Sequence, residues 1–221
     1  PEWLACSFEN ESNDAEIEHI DQTFSEERVN AVMVVAELKP YDIFEVTRWG
    51  KFHKALHVVG SCLRFIANAK CQVSQRQRGD LSFEEVSKAK LVLFKYVQQE
   101  AYQRETEALN QGKSVHKTSP LAKLGPWIGE DGLLRIKSRL QHSELSYEEK
   151  YPIILPKGHL ARLLIRFQHE LLKHAGVDTV ITSLRGTYWI FGMRRLMKTV
   201  KHECVVCRKV DAPSCNQSAA P

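Results

Sequence analysis

Apolar positions recur along this chain at three- and four-residue steps in two long stretches, break into short runs, then return to helical steps. Trp49, Phe52, Leu56, Val59, Leu63 and Ile66 mark one face of a helix from about Phe44 to Ala69. Ser82-Phe83-Glu84-Glu85 reads as a capping box, with Ser82 at the N-cap. Val86, Ala89, Leu93, Phe94, Val97 and Ala101 follow at helical spacing, so a second helix should run on and end before Gly112. The two would pack as an antiparallel pair. Thr118-Ser119-Pro120 and Gly125-Pro126 break the pattern, and Glu130-Asp131-Gly132 signals a turn. Leu133–Leu140 and Tyr151–Leu155 then predict two or three short strands. From Gly158 helical steps resume: Leu160, Leu163, Leu164, Phe167 and Leu171 line one face. A second short helix, capped by Asp178, should reach about Leu184, and a third should cover Met193 to His202 with Leu196, Met197 and Val200 inward.

Composition changes this picture little and charge changes it more. The chain has 221 residues and is 43 % hydrophobic, enough for a core and for one or two domains. No run of about 18 apolar residues occurs, which excludes a helical membrane span. The opening Pro1-Glu2-Trp3-Leu4 is neither an initiator Met nor a signal peptide and reads as an excerpt from a longer product. Residues 1–48 hold twelve acids and three bases, while the whole chain is at +4. An acidic head on a basic body suggests a polyanion partner; charge alone favours the plainer description, a solvated linker on an ordinary basic domain. Residues 1–43 are thus expected to be an acidic linker or tail, with Ala31–Ala36 as a possible strand. A helical pair follows over 44–115, a small β extension over 119–157, a helical module over 158–211, and a polar tail over 212–221.

The six cysteines are Cys6, Cys62, Cys71, Cys204, Cys207 and Cys215. They are too sparse for a secreted disulfide scaffold, and a reducing, intracellular compartment is expected. Cys204 and Cys207 form the one C-x-x-C pair. Upstream, four residues separate His169 from His174, and 29 residues separate His174 from Cys204. Two imidazoles and two thiolates suit one tetrahedral structural zinc ion without an open position. Three short helices make a core too small to stand unaided, and zinc binding would supply the missing folding free energy. A redox C-x-x-C is the other reading, but no βαβ pattern precedes Cys204. His53 and His57 sit four apart on one helix face without a third ligand nearby. His202 is read as exposed, Lys90 and Lys95 as the wet face of the second helix, and Cys62 and Cys71 as buried thiols.

The string His169-x4-His174-Ala175-Gly176-Val177-x-Thr179, Leu184-Arg185, Tyr188-Trp189, Met193-Arg194-Arg195, Val200 and Cys204-x2-Cys207-Arg208-Lys209 resembles the HHCC zinc-binding domain of retroviral and retrotransposon integrases. Upstream, Ser119-Pro120-Leu121-x-Lys123-Leu124, Glu130-Asp131-Gly132-Leu133-Leu134-Arg135-Ile136, Tyr151-Pro152-Ile153-Ile154-Leu155-Pro156 and Leu63-Arg64-Phe65-Ile66 look like the Pol polyprotein of Bel/Pao-type retrotransposons. The resemblance covers most of residues 49–210. It implies a mainly α fold with a small β region, ending in a three-helix, helix-turn-helix-like zinc module with His169, His174, Cys204 and Cys207 as ligands. It also implies that Gly176 closes a helix end in the left-handed conformation, and that Tyr188 and Trp189 bury against the first helix of the module. Lys123–Leu155 looks similar to the small extension that precedes this domain in some integrases.

For function, the resemblance implies DNA integration, with DNA contact and integrase self-association as the module's uses, and a nuclear site of action. Arg185, Arg194, Arg195, Lys198, Lys201, Arg208 and Lys209 are the candidate phosphate contacts, with Arg194, Lys198 and Lys201 at helical spacing. Solubilising charge is the alternative reading of the same residues. Only fourteen residues follow Cys207, with Asp211 as their sole acid, so the carboxylate-bearing integrase core is not expected here. Asp-Thr-Gly, Asp-Ser-Gly, Tyr-x-Asp-Asp and P-loop patterns are missing too. The reading is of a module that is not itself an enzyme and has no small-molecule substrate or membrane partner. A host-adopted protein-interaction remnant, or an enzyme fragment needing its core in trans, are the rival readings.

Overall fold

In the computed structural model, residues 46–137 and 143–212 are described. The acidic head, the run Ala31–Ala36, Cys6, Cys215 and the tail beyond Ala212 lie outside the described residues. Among those described, the fold is mainly helical, with eight α-helices and one small four-stranded sheet. No described helix is long and apolar enough to cross a membrane.

The described residues divide into two compact units, one holding Cys62–Asp80, the other residues 46–61, 81–137 and 143–212. In the described part of the first unit, Asn68 exchanges two 2.9 Å hydrogen bonds with the backbone of Gln77. The Arg64 guanidinium donates to the carbonyls of Gly79 and Asp80. Cys71 is exposed and Cys62 half-exposed, so neither is the buried thiol that the apolar pattern suggested.

The first long helix, α1 (Phe52–Ala69), starts later than its periodicity predicts, because a 3-10 turn at Val46–Arg48 and Gly50 precede it. The Trp49 carbonyl instead accepts a 2.7 Å hydrogen bond from His159 Nε2. Helix α2 (Phe83–Ala101) begins with the expected capping box, Glu85 N–H donating to Ser82 Oγ and Ser82 N–H to the Glu85 carboxylate. The helical run then breaks at Tyr102, whose φ −131° and ψ 35° are not helical, and α3 (Gln103–Asn110) follows. Tyr102 is buried with Leu121, Leu134, Ile136 and Ile154, and this burial interrupts the run. Burial, aided by the Glu105 charge, pushes its phenol up to about 12.

Strands β1 (Pro126–Ile128) and β2 (Leu134–Ile136) form an antiparallel hairpin with Trp127 opposite Arg135. Its turn needs Gly132, at φ +74°, and Gly129, where a Cβ would lie 2.8 Å from Asp131 Oδ1. A short helix α4 (Tyr147–Lys150) carries a second capping box, Ser146 with Glu149. Strand β3 (Ile153–Leu155) pairs antiparallel with β2. The chain then passes through α5 (His159–Leu171) and α6 (Val177–Arg185) before β4 (Tyr188–Ile190) pairs in parallel with β3. Helices α7 (Met193–Glu203) and α8 (Val205–Val210) end the described chain.

Strand β4 lies in the gap that the pattern left between the second and third helices of the module, where no strand was expected. Three residues are too few to show a period, yet they stitch the histidine- and cysteine-bearing helices onto the sheet. Alternation along β4 buries Tyr188, as expected, and Ile190, but turns Trp189 outward at 38 % exposure, correcting its expected burial. Phe94 of α2 packs edge-on against Tyr188, and Phe52 of α1 packs against both Phe94 and Phe167 of α5. Lys90 lays its ammonium over the Phe94 and Tyr188 rings and is half-buried there, unlike the exposed Lys95. Buried Gln98 ties α2 to the sheet: its Nε2 donates to the Leu134 and Ile154 carbonyls, and its Oε1 accepts from Leu134 N–H.

Candidate metal centre

Helix α5 is amphipathic, with Leu160, Leu163, Leu164 and Ile165 buried, and it delivers His169 in its last turn, itself only 1 % exposed. Leu171, expected on the same face, is 58 % exposed because the helix is already leaving the core. Beyond it the backbone reverses through two left-handed residues, Lys173 at φ 52° and His174 at φ 63°. The His174 amide donates to the His169 carbonyl at 2.9 Å, which folds the second histidine back beside the first. Gly176, expected to supply the left-handed turn, has φ −60° and is the N-cap of α6 instead. The reversal falls earlier because the imidazole at position 174 must face the end of α5. Asp178 then sits in the first turn of α6 rather than at its cap, and pairs with Arg194 of α7.

Helix α7 buries Met193, Met197 and Val200 and stops at Cys204, an extended residue that ends α7 and starts α8. Cys204 N–H still donates to the carbonyls of Val200 and Lys201, so the turn is tight. One turn into α8, Cys207 is buried at 5 % exposure. Glu203 bridges to Arg162 and Arg166 of α5, joining the two helices that bring the ligands, and these guanidinium groups hold its carboxyl below the ordinary range.

His169 Nε2 lies 3.2 Å from both Cys207 Sγ and His174 Nδ1, and His174 Nδ1 lies 3.2 Å from Cys204 Sγ and 3.9 Å from Cys207 Sγ. All four ligand atoms fall within 4.8 Å of one another. Zinc bonds of about 2.0 Å to nitrogen and 2.3 Å to sulfur, at tetrahedral angles, would set ligand atoms roughly 3.3–3.8 Å apart. The spacing and the donor set fit a closed, four-coordinate zinc ion. Burial and the adjacent His174 push the His169 imidazole down, toward the neutral form that a metal requires. The Ala175 backbone pulls weakly the other way, without reaching hydrogen-bond geometry at the buried Nδ1. Burial and the neighbouring Cys204 push the Cys207 thiol up. Two thiolates in contact need a cation between them, and zinc would provide it. No other cluster of three or more such ligands occurs among the described residues; His53 and His57 are exposed on α1.

Residues 156–213 match the family model of the integrase zinc binding domain. The chain therefore carries an integrase-type region. Comparison with curated proteins and with solved structures returns no match. The integrase-type region also contains every candidate phosphate contact, and the fold separates them. Lys198, Lys201 and Arg208 line one cleft with Val177, His202 and Asp211. Arg185, Arg194, Arg195 and Lys209 are exposed outside that lining, and Arg194 is engaged by Asp178. Lys201 pairs with Asp211 at 2.9 Å. Sequence reasoning passed over Asp211 because its partner is ten residues away, at no helical step. The exposure expected of His202 is found, on the cleft wall.

Proposed function

We propose that this chain is the zinc-binding module of a Bel/Pao-type retrotransposon integrase, and that it serves DNA binding and self-association. The observation that carries the reading is the convergence of His169, His174, Cys204 and Cys207 inside the segment that matches the integrase zinc-binding model. Four protein ligands would fill the coordination sphere, so the ion's contribution is structural, with no position for a reactive water. His169 and His174 would hold it at the end of α5, Cys204 and Cys207 at the α7–α8 junction. Zinc binding then becomes folding free energy for the three-helix module α5–α7.

The module is not catalytic by itself; its role is to order helices and present Arg185, Arg194, Arg195, Lys198, Lys201, Arg208 and Lys209 to phosphates. Such binding is independent of sequence and weakens as salt rises. It would act in the nucleus, on the DNA being joined. A protein-docking reading competes, favoured by the exposed Val205, Val206 and Val210 of α8.

The test is zinc per purified chain, circular dichroism with chelator and zinc, and fluorescence anisotropy of labelled duplex DNA across a salt series. A ratio near one, helix loss on chelation reversed by zinc, and salt-steep DNA binding are expected. A metal-free chain whose helices ignore the chelator overturns the zinc reading. Zinc without DNA affinity overturns the nucleic-acid role and leaves protein docking. A strand-transfer assay with a separately made catalytic core, with and without this chain, tests for an enzyme fragment complemented in trans.

A further inference from the structure

The C-terminal half of α7, helix α8 and the first residue of α6 enclose an open cleft of about 350 Å³. Its lining is Val177, Lys198, Lys201, His202, Arg208 and Asp211. Three cations thus face one anion. The anion is already used: Asp211 Oδ2 sits 2.9 Å from Lys201 Nζ. Lys198 and Arg208 make no side-chain ion pair among the described residues. The lining therefore has an excess of two positive charges around one carboxylate.

We infer that this cleft seats a backbone phosphate of nucleic acid, and that Asp211 stands in for the phosphate when nucleic acid is absent. The inference rests on the DNA-binding reading above and assigns it a place and a competitor. An Arg fork beside two ammonium groups suits a tetrahedral phosphodiester, which offers acceptors in more directions than one carboxylate. The Lys201–Asp211 pair is half-exposed and contributes little to stability, so a phosphate displaces it at small cost. The cleft also depends on the metal-ligand turn. Arg208 N–H donates to the Cys204 carbonyl, and Asp211 N–H to the Cys207 carbonyl, so the turn bearing the two cysteines aims both side chains. Another cross-helix pair, Arg194–Asp178, lies outside this lining, so neutralising Asp178 releases a cation elsewhere on the module.

The experiment compares the zinc-loaded full chain with its Asp211→Asn, Asp178→Asn and Arg208→Ala variants. Each is checked for zinc content and helix signal, then titrated against a labelled duplex of about 20 base pairs by anisotropy over a salt series. Asp211→Asn should bind about fivefold tighter at low salt, with a salt slope steeper by about one, as Lys201 is freed for a phosphate. Asp178→Asn should tighten binding clearly less, and Arg208→Ala should weaken it and flatten the slope by about one. Inorganic phosphate added to the wild-type titration should compete more strongly than chloride at equal ionic strength. Equal effects of the two aspartate variants, or none from Asp211→Asn, overturn the cleft while leaving DNA binding elsewhere on the module intact. A zinc-loaded chain and an Asp211→Asn variant that both ignore DNA overturn the DNA reading and the cleft together.

Discussion

Replacing Cys207 by Ser exchanges one sulfur for an oxygen that does not ionise near neutral pH. Cys207 is buried, and its Sγ lies 3.2 Å from His169 Nε2, so no other side chain can take its place without moving the end of α5. A structural zinc site supplies about 10–16 kcal/mol in apparent terms, so one ligand in four carries roughly 2.5–4 kcal/mol. Zinc affinity should fall about 100- to 1000-fold. At fixed free zinc, each tenfold loss of affinity removes about 1.4 kcal/mol of stability. For a chain of this size the melting temperature should drop by roughly 5–15 °C. The helices around the site, α5 to α8, hold 13, 9, 11 and 6 residues, so their unfolding would take nearly half of the described helical signal. Competition against a chromophoric chelator measures the affinity, and thermal melts followed by circular dichroism measure the rest. Cys71→Ser, at an exposed lone cysteine, is the control and should change neither. Equal zinc affinity for the Cys207→Ser and Cys71→Ser variants would refute the four-ligand reasoning.

Gln98→Leu keeps the volume but strands Leu134 N–H and two sheet carbonyls, and should cost about 2–5 kcal/mol by urea denaturation; a loss under 1 kcal/mol would mean the sheet satisfies them otherwise. Asp131→Asn leaves the guanidinium of buried Arg135 without its carboxylate and should cost about 3–5 kcal/mol. Although burial opposes ionisation, the hydrogen bond from Arg135 prevails and holds the Asp131 carboxyl below its ordinary value. The corresponding stability is present above the unfolded carboxyl pKa, near 4, and is lost as pH falls through the lower folded one. Acid titration of wild type against Asp131→Asn should show that loss in wild type alone. Tyr188→Ala should cost about 3–5 kcal/mol and Trp189→Ala under about 1, because adjacent residues of β4 face opposite ways; similar losses in a melt would contradict that alternation.

Helix capping was legible where it is purely local. Ser82 with Glu85 was read from spacing, and Ser146 with Glu149 shows the same pattern and could have been read the same way. The break at Tyr102 was not legible, since residues on both sides keep helical periodicity and only burial against Leu121 and Ile154 interrupts the run. Strand β4 was hidden for a related reason: a strand of three residues exists only when β3 is there to pair with it.

Local rules and covalent spacing, both properties of the sequence, were enough to mark the histidine pair, the C-x-x-C pair and the helices that bear them. Donor chemistry alone made zinc the natural ion for that set. What the tertiary structure decided is everything that depends on distant residues meeting. It placed the backbone reversal at Lys173 and His174 rather than at Gly176, because His174 must return to the end of α5. It turned Trp189 out and Tyr188 in, since the sheet, and not the local pattern, sets which face of β4 is buried. And it divided one apparent basic stripe into an ion-paired Arg194 and a cleft shared by Lys198, Lys201, Arg208 and Asp211. Charge can be counted along a chain, but the partner of each charge is fixed only when helices far apart in sequence pack side by side.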